Sequence, residues 1–335
     1  MPLAVLFIGG TGVISSACVE RALATGADVT VLNRGTTSQR PLPEGVRTVQ
    51  ADAREPDSVR DALNGKHLGD KEFDVVADFV AFTPDHVRAD VELFGGGRTG
   101  QFVFISSASA YQTPALRLPV TESTPLRNPY WQYSRDKIAC EDVLVAAYRE
   151  SGFPATIVRP SHTYDRTMVP TTGGWTDIAR MRRGDPVVIH GDGSSLWTLT
   201  HHTDFAKAFV GLLGHPAAVG DSFTITSDEA PSWTQIYTML ATAAGAELRP
   251  VYVPSTTIAA HDAEIGSSLL GDKTHSSVFD NGKVRALVPD YVATTPFWRG
   301  AAEIVDWYDA HPDRAVADPY LDSLFDRLVA GTAPA

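Results

Sequence analysis

The first 165 residues repeat one pattern: a short, almost wholly apolar run, a helical stretch, then another apolar run. LAVLFIGG, DVTVLNRG, VRTVQADA, FDVVADFVAF, QFVFISSAS and ATIVRPS are the apolar runs. ACVERALATG, SVRDALNG, PDHVRADVELF and the segment from 134 to 150 separate most of them. The runs are too continuously apolar for strands with one wet face, so the sheet they build must be covered on both sides. Parallel neighbours satisfy this, because each crossover lays a helix over the sheet. The expected fold is α/β, a doubly wound parallel sheet.

After about residue 165 the pattern loosens. Gly, Pro and Thr are frequent through RTMVPTTGGW, and no second regular series follows. DFAKAFVGLLG reads as a helix and DSFTITS as a strand able to rejoin the sheet; SWTQIYTMLATAAG and PFWRGAAEIVDWYDAHP read as amphipathic helices. The expectation is a first domain over 1–165, rejoined by about 198–230, and a smaller substrate lobe from 166–197 and 231–330. That lobe would lie over the carboxyl edge of the sheet, with the site in the crevice. The final VAGTAPA is expected to be a loose tail.

A net charge of −12 opposes long-range attraction to nucleic acid or to an anionic membrane surface. No apolar run approaches the roughly 20 residues of a membrane span, and MPLAVLFIGGTG lacks the basic region and cleavage site of a secretory signal. Cys18 and Cys140 make neither a disulfide framework nor a metal spacing, and both read as small buried residues suited to a reducing compartment. A cytoplasmic protein with a small-molecule substrate is expected.

Strand, then GGTGVIS, then helix is the context in which a glycine cluster binds a dinucleotide, which makes the sheet Rossmann-like. Gly9, Gly10 and Gly12 let the chain turn tightly and bring N–H groups to a pyrophosphate at the positive end of a helix beginning near Val13. The third fingerprint position is Ser15, expected to loosen the packing of helix on strand. Where an acidic residue would select NAD, VTVLNRGTT has Asn33 and Arg34. A guanidinium without a competing carboxylate accommodates a 2′-phosphate, with Thr36 or Thr37 assisting, so NADP(H) is favoured over NAD(H). The alternatives are that Arg34 stacks on adenine or faces solvent. Asp52 either accepts from the adenine amino group or caps a helix.

In NPYWQYSRDK, Tyr133 stands four residues ahead of Lys137, on one face of a helix. Such a pair is common by chance. Ser106, Ser107 and Ser109 of ISSASAY, at the carboxyl end of an apolar strand, give it context. Hydroxyls at a strand end with Tyr and Lys on the next helix form a set that can move a proton while a nicotinamide exchanges hydride. Free Tyr titrates near 10, so a base at neutral pH needs about 3 units of depression, or about 4 kcal/mol. One cation about 5 Å away supplies roughly 3 kcal/mol at an effective dielectric near 20. Lys137 nearly suffices to acidify Tyr133, and the charge of an oxidised nicotinamide would provide the rest.

GGTGVIS, the ADAR segment, SSASAY, YSRDK, VRPSHTY, HGDGSS and TPFWRGAAEIVDWY stand in the order and spacing of the extended short-chain dehydrogenase/reductases. The chain resembles in particular their NAD(P)-dependent epimerase and dehydratase-like members over nearly its whole length. The resemblance implies that Tyr133 is the acid/base, that Lys137 holds the nicotinamide ribose, and that Ser107, four residues before Tyr111, bonds the reacting oxygen. It further implies a cofactor surface of Gly9, Gly10, Thr11, Gly12, Val13, Ile14, Asn33, Arg34, Asp52 and Ala53. Phe79, Val80, Ala81, Ser106, Lys137, Pro160 and His162 complete that surface. By the same analogy, the helix of Tyr133 and the one near 85–95 would pair in a homodimer.

Some positions depart from the family pattern. Trp197, in HGDGSSLWTLTHHTD, holds the place of a diphosphate-binding Arg, and His162 that of a common Asn. A neutral aromatic stacks on a ring but does not compensate phosphate, which puts a nucleotide-linked substrate in doubt. Ser109, Trp131, His162 and Trp197 are the expected substrate contacts, although core packing is the bland alternative for Trp131 and Tyr164, and structural hydrogen bonding for His162. Ala108 stands where a dehydratase places a carboxylate.

No metal is expected at His201, His202 and Asp204: neighbours on an extended segment face opposite ways, and Asp204 is read as a helix cap. Arg180, Arg182 and Arg183 read as a solvated face. The expected function is NAD(P)-dependent oxidoreduction or epimerisation at a carbinol carbon of a sugar-like substrate. The alternatives are an NADPH-dependent ketone reductase and a non-catalytic dinucleotide-binding regulator.

Overall fold

The computed structural model describes residues 1–35, 40–63 and 73–332. Seven strands form one sheet: β1 (Ala4–Ile8), β2 (Asp28–Asn33), β3 (Arg47–Gln50), β4 (Phe73–Asp78), β5 (Thr99–Ile105), β6 (Ala155–Pro160) and β10 (Ser222–Ile225). Every pairing is parallel, in the order β10-β6-β5-β4-β1-β2-β3. The order reverses between β1 and β4. In such sheets ligands bind at the carboxyl ends on either side of the reversal.

Alternation along each strand explains the unbroken apolar runs. Phe7, Val31, Val75 and Val103 point to one face, where α1 (Val13–Ala24) and α6 (His202–Leu212) bring Val19, Phe205 and Phe209. Ile8, Leu32, Val76 and Phe104 point to the other face. There they meet Val59 of α2 (Pro56–Leu63), Val87 of α3 (Pro84–Phe94) and Leu144 of α4 (Gln132–Ser151). Each such side chain contributes about 1.5–3 kcal/mol when fully buried. Cys18 and Cys140 are free and buried in these two layers.

The predicted return to the sheet is observed: DSFTITS supplies β10, which pairs with β6. The later segment holds more extended structure than its sequence pattern suggested. β7 (His162–Tyr164) pairs with β9 (Leu199–His201), and β8 (Val187–His190) with β11 (Pro250–Val253). These strands are three or four residues long, too short to leave a periodic signature. α5 (Trp175–Arg183), α7 (Trp233–Ala243) and α11 (Phe297–Ala310) enclose a core containing Tyr164, Ile178, Trp233 and Ile304. α8 (Ser255–His261) and α12 (Pro319–Thr332) share another with Leu269, the first residue of a π-helical turn at Leu269–Lys273. The short helices α9 (Ala263–Ser268) and α10 (Gly282–Leu287) complete the order.

Three expectations are corrected. Arg180 is buried, not solvated, and pairs with Asp322 and Asp326 to anchor α12, while Arg182 and Arg183 pair with Asp309, Asp185 and Asp322. Asp204 does not cap α6; its carboxylate accepts from Lys207 Nζ and from the Thr295 N–H. His201 and His202 do not diverge: the strand ends and the helix starts between them, so the rings meet edge to face at 4.5 Å. His201 is held by Thr203 Oγ1 at 2.7 Å and Glu303 Oε2 at 3.2 Å. Among the described residues no helix is long and apolar enough to cross a membrane.

Candidate active site

The glycine turn follows β1 directly. Gly9 has φ +83°, a conformation L side chains rarely adopt, and a Cβ on it would overlap Val80 Cγ1 in the turn after β4. A Cβ on Gly10 would fall 2.7 and 2.8 Å from the Val31 methyls. Backbone at the head of β1 is thus bare where a pyrophosphate must approach, and the residues fit a dinucleotide. Ser15 does not loosen the packing. It is buried, and its Oγ accepts the Gly12 N–H at 2.8 Å, capping α1.

At the end of β2, Asn33 Oδ1 accepts the Gly35 N–H and Arg34 extends, exposed, with no side-chain partner among the described residues. Thr36 and Thr37 lie outside the described residues. Asp52 Oδ1 accepts the Arg54 N–H at 3.0 Å, forming an Asx turn ahead of α2 beside the half-buried Ala53.

The catalytic candidates converge on a cavity of about 340 Å³ at the carboxyl ends of β1, β5 and β6. Tyr133, Lys137, Ser107, Trp131, His162 and Trp197 all line it. Tyr133 and Lys137 share a face of α4, and the Tyr133 hydroxyl lies close enough to Ser107 to feel its hydroxyl electrostatically. Ser107 Oγ also accepts the Ser109 N–H at 3.1 Å and lies 2.9 Å from Ser109 Oγ, which in turn accepts from Ser134 Oγ at 2.8 Å. Ser109 thus orients Ser107, and its hydroxyl is committed there. Ser106 lines the cavity too, but its side chain turns away and donates to Glu141.

The protein's own groups set the electrostatics of Tyr133 and Lys137 through burial. Lys137 is 2% exposed and donates to Ala81 O and Ile105 O, both at 2.7 Å. Its ammonium lies 5.8 Å from the Tyr133 ring centre, and burial lowers its pKa to about 8. Burial pushes the Tyr133 phenol up to about 12, and the Asp272 carboxylate adds to the rise, while the Ser107 hydroxyl opposes it. The protein's own groups therefore do not acidify the phenol, because desolvation is the largest effect on it. Tyr133 rests neutral, as a proton donor.

Phe79, Val80 and Ala81 form the turn after β4. Asp78 shapes it, accepting the Val80 and Ala81 N–H groups at 2.5 and 2.9 Å. Phe79, Val13, Ile14 and Pro160 line the cavity on the glycine side. Tyr164 stays outside it, in the core against Phe297. Trp197 is 3% exposed and packs on Trp233 at 5.7 Å, showing the cavity only an edge of its surface.

His162 is held neutral, its pKa lowered to about 3 by burial and by the nearby Lys273. A folded pKa below the ordinary imidazole value means that the unfolded chain binds the proton first as pH falls through about 6.5. Stability from this site is therefore present above pH 6.5 and lost toward pH 3. Replacing His162 with Asn is expected to remove up to about 1.4 kcal/mol per pH unit of that dependence. Urea unfolding of both proteins across the window checks this; parallel curves reject it.

Residues that the sequence did not flag complete the walls. Phe82, Phe279, Asp272 and Lys273 line the cavity, and Phe82 lies 4.7 Å from Lys137 Nζ. Behind it, Glu141 accepts from Arg159 Nε at 2.9 Å and Nη2 at 2.5 Å, and Arg159 Nη1 donates to Tyr111 Oη at 3.0 Å. Glu141 had a signal: four residues after Lys137, on the inward stripe of an otherwise amphipathic helix. Asp272 and Lys273 had none, because their placement depends on an isolated turn.

A glycine cradle at a sheet reversal beside a hydroxyl, a phenol and an ammonium is the layout of a dinucleotide-using oxidoreductase. The chain belongs to the NAD dependent epimerase/dehydratase family, whose model matches residues 5–225. It is 31% identical over 294 residues to 2'-dehydrokanamycin reductase of Streptomyces kanamyceticus, covering 86% of this chain and 80% of that protein. Among solved structures it is similar to an epimerase of Methanothermobacter thermautotrophicus, with TM-score 0.75, 16% identity and 94% of each chain covered. It is also similar to UDP-glucuronic acid 4-epimerase of Bacillus cereus, with TM-score 0.73, 18% identity and 92% and 99% covered.

Proposed function

We propose that the protein reduces a ketone on a sugar-like ring, drawing on NADPH, and that the same residues serve the reverse oxidation. The observation that carries this is the neutral, half-buried phenol of Tyr133, which shares the cavity below the glycine turn with Ser107 and Lys137. A phenol that holds its proton is poised to give it to a developing alkoxide. The 31% identity to a protein named 2'-dehydrokanamycin reductase supports the same direction.

The dinucleotide, when bound, supplies the hydride. Gly9, Gly10, Thr11 and Gly12 would hold its pyrophosphate, Arg34 and Asp52 its adenosine end, and Phe79, Ala81 and Pro160 its nicotinamide end. Ser107 hydrogen-bonds the substrate oxygen and Tyr133 protonates it. Lys137 already gives two N–H groups to main-chain carbonyls, which leaves one for a ribose hydroxyl and fixes the ammonium close enough to steady the phenolate. The residues of 166–197 and 231–330 form the substrate lobe, and the protein works in the cytoplasm as a homodimer.

Arg34 is proposed to select NADPH. Replacing it with Ala is expected to weaken NADPH binding about 10- to 100-fold, the loss of one charge-assisted contact, with NADH nearly unchanged. Fluorescence titration of both cofactors tests this, and an equal effect on the two defeats it. Epimerisation is the second reading, favoured by the family match. Stoichiometric NADPH consumption with a keto-sugar supports the reductase; turnover with bound dinucleotide and no net redox change supports the epimerase.

A further inference from the structure

The π-helical turn at Leu269–Lys273 places two adjacent charged side chains in the wall of the catalytic cavity. The turn is tightly held. Gly271 O accepts from Asn128 Nδ2 at 2.6 Å, and a Cβ on Gly271 would lie 2.7 Å from Trp131 Cβ. Lys273 O accepts from Ser195 Oγ and from Trp233 Nε1, each at 3.2 Å. Lys273 Nζ then lies 3.3 Å from Asp272 Oδ2, 5.7 Å from the Trp131 ring centre and 6.0 Å from that of Trp197. Lys273 acts electrostatically on His162, and Asp272 on Tyr133, so the pair borders the reacting end of the cavity. Two polar atoms of the same walls, His162 Nδ1 and Trp197 Nε1, have no hydrogen-bond partner among the described residues.

We infer that Asp272 and Lys273 are the specificity pair of this site, gripping two neighbouring hydroxyls of an uncharged sugar ring that packs on Trp131 beside the exposed edge of Trp197. The inference rests on the proposed ketone reduction and names its substrate class. A carboxylate and an ammonium 3.3 Å apart offer one acceptor and one donor at nearly the spacing of adjacent ring hydroxyls, about 3 Å. The half-buried Trp131 indole suits an apolar face of a pyranose. Charge excludes a phosphate. Asp272 compensates Lys273, Lys137 is committed to two carbonyls, and the place of a diphosphate-binding Arg holds Trp197. A diphosphate here would lack the cations that make such a site bind.

The test uses the full chain saturated with NADP⁺, with methyl α-D-glucopyranoside and UDP-glucose as probes and binding followed by saturation-transfer NMR and calorimetry. The expected result is binding of the glycoside, no tighter binding of UDP-glucose, and about tenfold weaker glycoside binding in both Lys273→Met and Asp272→Asn. NADP⁺ affinity and melting temperature report whether each variant is intact, and Lys273→Arg, which keeps a donor, should retain most of the affinity. One of the 2-, 3- or 4-deoxy glycosides should lose affinity in the wild type but not in Lys273→Met. The inference is overturned by UDP-glucose binding more than tenfold tighter than the glycoside, by no glycoside binding, or by folded variants that bind like the wild type. Glycoside recognition without NADPH-linked reduction of keto-sugars would leave the pair standing and remove the proposed function; reduction insensitive to Lys273→Met would do the reverse.

Discussion

Tyr133→Phe is expected to lower turnover about 10²- to 10⁴-fold while leaving dinucleotide affinity within about twofold, because the substitution removes a single proton donor and no cofactor contact. The phenol shares the cavity with Ser107, and its pKa, pushed up to about 12, keeps it protonated across the neutral range. Phe retains the ring and its packing at 4.8 Å on Trp131, so the loss should fall on kcat rather than KM. Steady-state kinetics with NADPH and a keto-sugar, paired with cofactor titration, measure both quantities. Undiminished kcat would remove Tyr133 from the chemistry. Ser107→Ala should follow in the same direction with a smaller loss, since the substrate oxygen keeps Tyr133.

Arg159→Met is expected to destabilise the fold by about 3–5 kcal/mol, the cost of stranding a buried carboxylate. Glu141 and Arg159 are 2% and 5% exposed, and Arg159 provides two of the hydrogen bonds that hold the Glu141 carboxylate. The pair bridges α4, which carries Tyr133 and Lys137, to β6. Through Tyr111 Oη, which lies 2.6 Å from Thr224 Oγ1, it also reaches β10 at the sheet edge. Urea denaturation should show a lower midpoint with an unchanged slope. Adding Glu141→Gln to Arg159→Met should restore part of the loss, because the stranded charge is then gone. A change below about 1 kcal/mol would mean that water reaches the carboxylate.

The sheet was legible because its physics is local. An apolar run bounded by helical segments needs both faces covered, and each of the runs read from the sequence supplied a strand of four to seven residues to the parallel sheet. The glycine turn was legible for a related reason: the bare backbone at Gly9 and Gly10 is a property of the residues themselves. Tyr133 and Lys137 were readable as a pair from helical spacing, and Ser107 from its place at a strand end. Arg180 was misread because a helix face looks solvated until another helix, here α12, packs on it.

The sequence by itself determined the doubly wound sheet, the dinucleotide turn and which side chains would gather at the carboxyl ends of the strands, since period, strand continuity and glycine conformation act over a few residues. Only the tertiary structure decided the state and company of those side chains. Burial raises the Tyr133 pKa where a neighbouring ammonium was expected to lower it, and the distant turn at Leu269–Lys273 brings Asp272 and Lys273 into the same cavity. Desolvation depends on everything packed around a group, and that is summed only when the chain has closed on itself.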